Sequence, residues 1–600
     1  MGCKLANWPG IYRNQTLKKI TWILIISLIV APVIIGIFYI YKFGIDVPYW
    51  DQWDEVPIFL EKLSMSHLTI FDLIAQHNES RPFFPNIIMI ALALISNYNV
   101  LFEMYFMYFV YCISFVILFH LYISDHLINK ISCLKFIPIS FFFFNLFQMS
   151  NMLFGVRIGQ SMEIFGFISA VYLIDKSQEI DKKFLLSIVA AAISTFSFVA
   201  GLSTWAVCFI QILLQNRKQK TKKIIIWCTS AILVFYLYFY DYVKPGGHPS
   251  ILYSFHNPSE GILVFFGSVG SSIVRDMLLS PVVGSLMLIT LFFILFLNVN
   301  NLMLNKNGKW FSLILFSFLA SFEIAVGRSG FGVESAIQQR YYLLTFWSVI
   351  GLYCVLLNYL DASSDSEYSF ENKYVKGLRS QNKNNYNYLL TGVVVSLLFI
   401  GIATNFFTGL EYGKNTEDSR EDMAYYLKTY DIQPDKNLES LYPDPSVVRQ
   451  RAPFLKEYRL TVFSKNFNIS GLDELKNSTL YSIDTVNGKN VDLNKDFIVI
   501  DKEMTDEIEI SGWAVDSEEN ILASEVFITI DGEINIPSRY NLERKDVANH
   551  FKTKNFEDSG FKASFASSIL EKGTHTLAIK VVSSDNNGYY KSEPVDFVVI

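Results

Sequence analysis

The segment Asp46-Val-Pro-Tyr-Trp-Asp51-Gln-Trp-Asp54-Glu55 places four carboxylates and two tryptophans within ten residues. Further along stands Gln76-His77-Asn78-Glu79-Ser80-Arg81-Pro82. A carboxylate can deprotonate an attacking hydroxyl. Carboxylates can also hold a divalent cation such as Mg or Mn. The fork of an arginine clamps phosphate oxygens. Trp50 and Trp53 offer flat apolar faces on which a sugar ring can stack. Asp46, Asp51, Asp54 and Glu79 are therefore candidate catalytic groups, and His77, Arg81, Trp50 and Trp53 candidate binding groups. The plainer reading is a polar juxtamembrane loop whose tryptophans form an interfacial belt.

Three other segments could complete such a site. Gln148, Asn151, Arg157 and Gln160 flank one turn. Tyr242-Val-Lys-Pro-Gly-Gly-His248-Pro supplies His248. Gly327-Arg328-Ser-Gly-Phe-Gly-Val-Glu334 runs on to Arg340-Tyr341-Tyr342. Two arginines in a glycine-containing segment suit a lipid phosphate, because backbone amides can approach an oxyanion there. Arg328, Arg340 and Tyr341 are read as binding residues on that ground. The alternative for Arg340 is a snorkelling anchor at a helix end.

Composition says what must position these residues. Of 600 residues, 51% are hydrophobic and only 18% charged, below the quarter that is usual in soluble domains. A spanning helix needs about 20 apolar residues, since hydrocarbon leaves no partner for free backbone groups. Candidate spans are 20–42, 101–123, 135–150, 161–175, 224–241, 283–300, 310–326, 341–360 and 387–408. The run 184–214 is too long for one helix, and Gly201, with Ser197 and Ser203, can divide it. That makes about eleven transmembrane helices. The stretch Ser194 to Trp205 could line a lipid-chain groove or form a close small-residue helix contact. The apolar stretches 87–95 and 262–274 are short and read as interfacial or re-entrant helices. The first run lacks a small-residue cleavage site and reads as an uncleaved helix.

Lys and Arg bias places loops inside. Arg217, Lys218, Lys220, Lys222 and Lys223 form the strongest such loop. Lys176, Lys182 and Lys183 mark another, Lys306 and Lys309 a third, and Lys373, Lys376 and Arg379 a fourth. Lys4, Arg13, Lys18 and Lys19 put the N-terminus inside as well. Alternation then leaves every candidate site residue, and residues 412–600, outside the cell membrane.

The polar C-terminal part divides into 412–480, helical and irregular, and 481–600, with alternating strands and turn signals. Asp531-Gly532 and Asp585-Asn-Asn-Gly588 are hairpin turns. The expected fold is an α-helical multi-span membrane domain, 1–411, followed by a small extracytoplasmic β-sandwich. Trp513 is expected in the sandwich core. All six cysteines precede residue 360, so no disulfide staples the C-terminal region, and no Cys/His metal spacing occurs. A net charge of -6 gives no basic footprint for nucleic acid.

A long outside loop after the first helix, opening with acidic residues and followed by a His-containing turn, resembles the class C glycosyltransferases. The Tyr-Trp-Asp-Gln-Trp-Asp and His-Asn-Glu-Ser-Arg stretches are similar to a group of bacterial membrane proteins in which Ser80 would be a second histidine. The resemblance covers roughly the first 410 residues. It implies a sugar donor carried on a polyprenyl phosphate and an extracytoplasmic acceptor. It also implies a loop carboxylate as base or metal ligand; Asp51 and Asp54 match best by position, with Asp46 next. Residues 481–600 resemble an Ig-like module, for which a binding or spacer role is expected. The competing functional class is a transporter or flippase, which calls for polar residues deep in the membrane. No phosphate-loop motif supports ATP-driven work.

Overall fold

The computed structural model describes residues 9–126, 128–297, 301–364, 383–465, 469–476, 479–491 and 498–600. Cys3, Lys4, Phe497 and the Lys373, Lys376, Arg379 loop lie outside the described residues. The chain divides into two units. One comprises Met1–Gly44, His67–Leu92 and Leu101–Thr416; the other comprises Ile45–Ser66, Ala93–Val100 and Glu417–Ile600.

The first unit is helical. Among the described residues, six helices are long and apolar enough to cross a membrane: Lys19–Phe43, Val100–Ile123, Lys220–Phe239, Asn307–Phe331, Gln339–Tyr359 and Gly392–Lys428. The chain is a multi-pass membrane protein. Large apolar side chains such as Ile23, Leu24 and Phe38 are exposed, as lipid-facing groups are. Several other apolar runs are shorter helices than a span requires. The run 135–150 divides into Lys130–Phe143 and Leu146–Asn151. The run 184–214 breaks as expected into Lys182–Thr195 and Ser203–Leu214. A Cβ on Gly201 would strike the Ser194 carbonyl, so the break is a close small-residue contact. The stretches 87–95 and 262–274 belong largely to the short helices Phe83–Ser96 and Pro258–Gly270.

Several loops of this unit meet at one end of its helices. Lys309 pairs with Asp125 at 2.7 Å and approaches Asp175 at 3.8 Å. Lys223 donates to the Ser177 hydroxyl at 2.8 Å, and Arg217 to Gln178 at 2.6 Å. Loops read as positive thus meet one another, but Lys309 and Lys223 are buried and partnered rather than free loop charges. Arg328 ends the helix Asn301–Arg328 that carries Lys309. Nineteen residues at 1.5 Å each put Lys309 and Arg328 roughly 29 Å apart, about the thickness of a bilayer core.

The second unit carries the β structure. A five-stranded sheet runs, in order, through Lys489–Asn490, Leu480–Val486, Glu507–Val515, Gly560–Ala566 and Arg539–Leu542. A seven-stranded sheet is centred on Gly573–Val582, which pairs with Val526–Ile530, Gly588–Lys591 and Val595–Val599. One apolar cluster draws Ile508, Ile510, Phe561 and Phe565 from the first sheet and Ile528, Ile579 and Val581 from the second. The two sheets therefore share a core, and the alternation of Glu507–Val515 is the reason: Ile508, Ile510, Gly512 and Ala514 face inward. Trp513 has the opposite parity. It is half-buried and packs its ring against Phe551 at 5.5 Å, in a separate small cluster, which corrects the expectation of a core tryptophan. Asp531 and Gly532 both take positive φ, 53° and 76°, as the hairpin turn requires.

Two outcomes follow for this unit. A Cβ on Gly512 would be driven into the Ser482 carbonyl oxygen of the neighbouring strand. Gly512→Ala should therefore destabilise the sheet by about 1–3 kcal/mol, read as a lowered unfolding temperature. Near the exposed edge, His575 Nδ1 lies 2.7 Å from Asp531. The hydrogen bond to Asp531 raises the His575 pKa. Burial pushes Asp531 up, but His575 and the Thr576 amide outweigh it and hold it below the usual range. A raised histidine adds stability that is lost as pH rises through its folded pKa; a depressed aspartate adds stability that is lost as pH falls. The pair contributes fully between roughly pH 4 and 6.5. Because Asp531 is well exposed, the effect is about 1 kcal/mol or less. The protection factors of the Gly573–Val582 amides, after division by the intrinsic exchange rate at each pH, should fall from pH 6 to pH 8, and Asp531→Asn should remove that fall.

Candidate functional site

In the second unit, the acidic segment forms the short helix Trp50–Asp54. Trp53 is fully buried and its indole N–H donates to the Pro48 carbonyl at 3.1 Å. It packs the unit and presents no face to a sugar, unlike Trp50, which is 45% exposed. Asp54 accepts from Arg451 at 3.0 Å and from the Tyr442 hydroxyl at 2.8 Å. Burial, then the bond to Asp54, pushes the Tyr442 hydroxyl up to about 12. Asp46 accepts the Val100 amide at 2.7 Å, where a helix begins and a negative charge is favoured. Asp54 and Asp46 thus hold structure together. Asp51 is half-buried in the first turn of Trp50–Asp54.

In the helical unit, His77 to Ser80 form a tight turn, with His77 and Ser80 exchanging backbone hydrogen bonds at 2.8 and 2.9 Å. Asn78 supplies the positive φ, 50°. Ser80 accepts the Val199 amide at 3.1 Å through its hydroxyl. Arg81 is buried, and its guanidinium donates to the carbonyls of Tyr238 (2.7 Å), Tyr240 (2.5 Å) and Ile74 (3.2 Å). It caps the C-terminus of helix Lys220–Phe239, where orphan carbonyls attract a cation. That use corrects its reading as a phosphate clamp.

The turn aims Glu79 at two bases from distant loops. Glu79 Oε1 lies 2.9 Å from Arg328 Nη2 and 2.6 Å from His248 Nδ1. The histidine contact lies off the direction of a hydrogen bond, so Arg328 is the firmer partner. Arg328 Nε also donates to the Tyr341 hydroxyl at 3.1 Å. The Arg340 guanidinium stacks over the Tyr341 ring at 5.0 Å. His248, Glu79, Arg328, Tyr341 and Arg340 therefore form one continuous network.

Arg340 also lines a cavity of about 200 Å³ with Ser150, Asn151, Phe154, Arg157, Gln338, Gln339 and Tyr412. The lining holds two arginines and no carboxylate. Arg340 Nε is buried without a hydrogen-bond partner, and Arg340 has no ion pair among the described residues. Side chains hold the adjoining backbone in place: Gln160 donates to the Arg340 carbonyl at 3.0 Å, and Asn151 to that of Gln339 at 3.2 Å. Arg157 is the second cation of this cavity; Arg328, expected beside Arg340, is engaged with Glu79 instead. Such a cavity accepts an oxyanion.

Two comparisons, with family models and with solved structures, return no match. A protein of Archaeoglobus fulgidus described as uncharacterized is 30% identical over 257 residues. The match covers 39% of this chain and 62% of that protein, so the chain spans less than two thirds of its relative.

One further residue escaped the sequence reading. Arg275 lies 3.2 Å from the Phe147 ring centroid and donates to the Ile337 carbonyl at 2.9 Å. It secures the segment leading into Gln338. Its signal was a charge directly after the apolar run 262–274, a costly place for an unused cation. Among the described residues, no group of three or more His, Cys, Asp or Glu side chains is arranged to hold a metal ion.

Proposed function

We propose that the chain is a membrane glycosyltransferase that moves a sugar from a polyprenyl-phosphate-linked donor to an extracytoplasmic acceptor. The cavity lined by Arg340 carries this reading, because its lining holds no carboxylate and the Arg340 guanidinium keeps a buried Nε without a hydrogen-bond partner. Glu79, beside it in the same network, is the general base: it takes the proton of the acceptor hydroxyl as that oxygen attacks the sugar. Arg328 and His248 orient the carboxylate. The lipid phosphate leaves into the arginine-lined cavity.

This reading includes the topology. Eleven spans, a cytoplasmic N-terminus and an outer location for Glu79, Arg340 and residues 412–600 agree with one another. The separation of Lys309 from Arg328 along one helix supports it. A reporter fused after residue 411 should be active only outside the cytoplasm; cytoplasmic activity would overturn the arrangement. The function is tested by mass spectrometry of cell-envelope glycans with and without the gene. Loss of one sugar addition is expected, and unchanged glycans would sink the reading.

A transporter or flippase is the second reading, and one observation favours it. The helical unit holds two carboxyl groups with buried, unpartnered oxygens, Glu163 and Glu323, on its apolar helices, the kind of polar group that such a function calls for.

A further inference from the structure

Glu163 is completely buried on helix Ile158–Lys176; the Gly201 amide lies near its carboxyl but donates to the Phe198 carbonyl at 3.0 Å, and neither carboxyl oxygen has a well-formed hydrogen bond. Glu323, on helix Asn301–Arg328, lies within electrostatic reach of it. Glu323 Oε1 accepts the Ser203 hydroxyl at 2.5 Å, while its Oε2 is buried without a partner. Three of the four carboxyl oxygens are thus orphaned. No Lys, Arg or His forms an ion pair with either group among the described residues.

A buried carboxylate without a cation or donors is one of the most costly groups a protein can hold. Two within electrostatic reach of each other repel as well, since like charges in a medium of low polarisability interact strongly. Protonation relieves both costs, since a neutral acid has no charge to desolvate and does not repel its neighbour.

We propose that Glu163 and Glu323 form an exchangeable proton-binding site within the membrane-embedded unit. The two acids between them hold at least one proton, as burial without a cation demands. It lies about 7.5 Å in from Arg328, five residues at 1.5 Å along the same helix. The groups around it are few. Tyr238, on helix Lys220–Phe239, is within electrostatic reach of both carboxyls and donates its hydroxyl to the Glu79 carbonyl at 2.6 Å. Arg81 sits at the Tyr238 carbonyl. Helix Lys182–Thr195 brings Ser194 and helix Ser203–Leu214 brings Thr204, whose hydroxyls pair with each other at 3.0 Å. The site is defined without reference to sugar transfer, so it stands or falls independently of that activity.

Infrared difference spectroscopy of the full chain in lipid nanodiscs tests it. A pH titration in water and in heavy water should show a protonated-carboxyl stretch that shifts with deuterium and disappears as pH rises. Glu163→Gln and Glu323→Gln should each weaken the band or displace its midpoint, because each removes one titrating acid and its repulsion of the other, and the double variant should abolish it. Glutamine matches glutamate in size and is neutral, so both variants are expected to fold. Ser203→Ala keeps both acids; it should retain the band and displace its midpoint, which covers the case in which a glutamine variant fails to fold. A band that persists unchanged in the double variant would overturn the proposal. So would a band absent from the parent protein, one that does not titrate, or one whose midpoint follows sodium or potassium concentration as a metal-cation site would.

Discussion

Replacing Glu79 by Gln should lower sugar transfer by about 10²–10⁴-fold while leaving the protein folded, the usual effect of removing a general base. The amide keeps the size of the side chain and can still accept from Arg328, which lies 2.9 Å away. It loses charge and basicity. The loss should fall on kcat, with donor binding little changed, because the phosphate-binding residues are separate. The control is Asp51→Asn. Asp51, half-buried in the first turn of Trp50–Asp54, is the carboxylate that the resemblance puts forward as base together with Asp54. Near-normal activity of Glu79→Gln together with an inactive Asp51→Asn would move the base to Asp51.

The second large effect is expected at Arg340. Arg340→Lys should raise the KM for the lipid-linked donor by roughly 10–100-fold, the scale of losing a charge-assisted bidentate contact of about 1.5–3 kcal/mol. An ammonium is a point donor and cannot hold two phosphate oxygens in a plane. It also forfeits the stacking of the guanidinium over Tyr341, seen at 5.0 Å. Acceptor parameters should not move. If Arg340 only anchored a helix end, lysine would serve equally, and unchanged donor kinetics would remove the phosphate clamp from the mechanism. Arg157→Lys should give a smaller shift in the same direction, since Arg157 shares the cavity.

The candidate site was only partly legible in the sequence. Arg340, Arg328, Tyr341, His248 and Glu79 were each picked out as polar or charged residues in loops between apolar runs. Their joining into one network was not, because it depends on contacts between residues 79, 248 and 328, far apart along the chain. Arg81 was misread for the opposite reason. Its neighbours in sequence are polar, but its guanidinium turns to carbonyls at the end of a helix about 160 residues away. Trp53 was misread because aromatic side chains suit a binding face and a core equally, and only packing tells them apart.

Local physics made the membrane character, the β-rich C-terminal region and its hairpin turns readable from the chain alone. Long apolar runs have one stable solution in lipid. Period-two alternation marks strands, and Asp531-Gly532 can take the positive φ its turn needs. Even the division of residues 184–214 followed from small and polar residues around Gly201. Tertiary structure alone decided which charges are used up in holding the fold and which are left for a ligand. Arg81 and Arg340 look alike in sequence, yet one is saturated by three carbonyls and the other keeps a buried Nε without a partner. It also brought Glu163 and Glu323 together from two helices, since burial and pairing are properties of neighbours that the linear order does not hold.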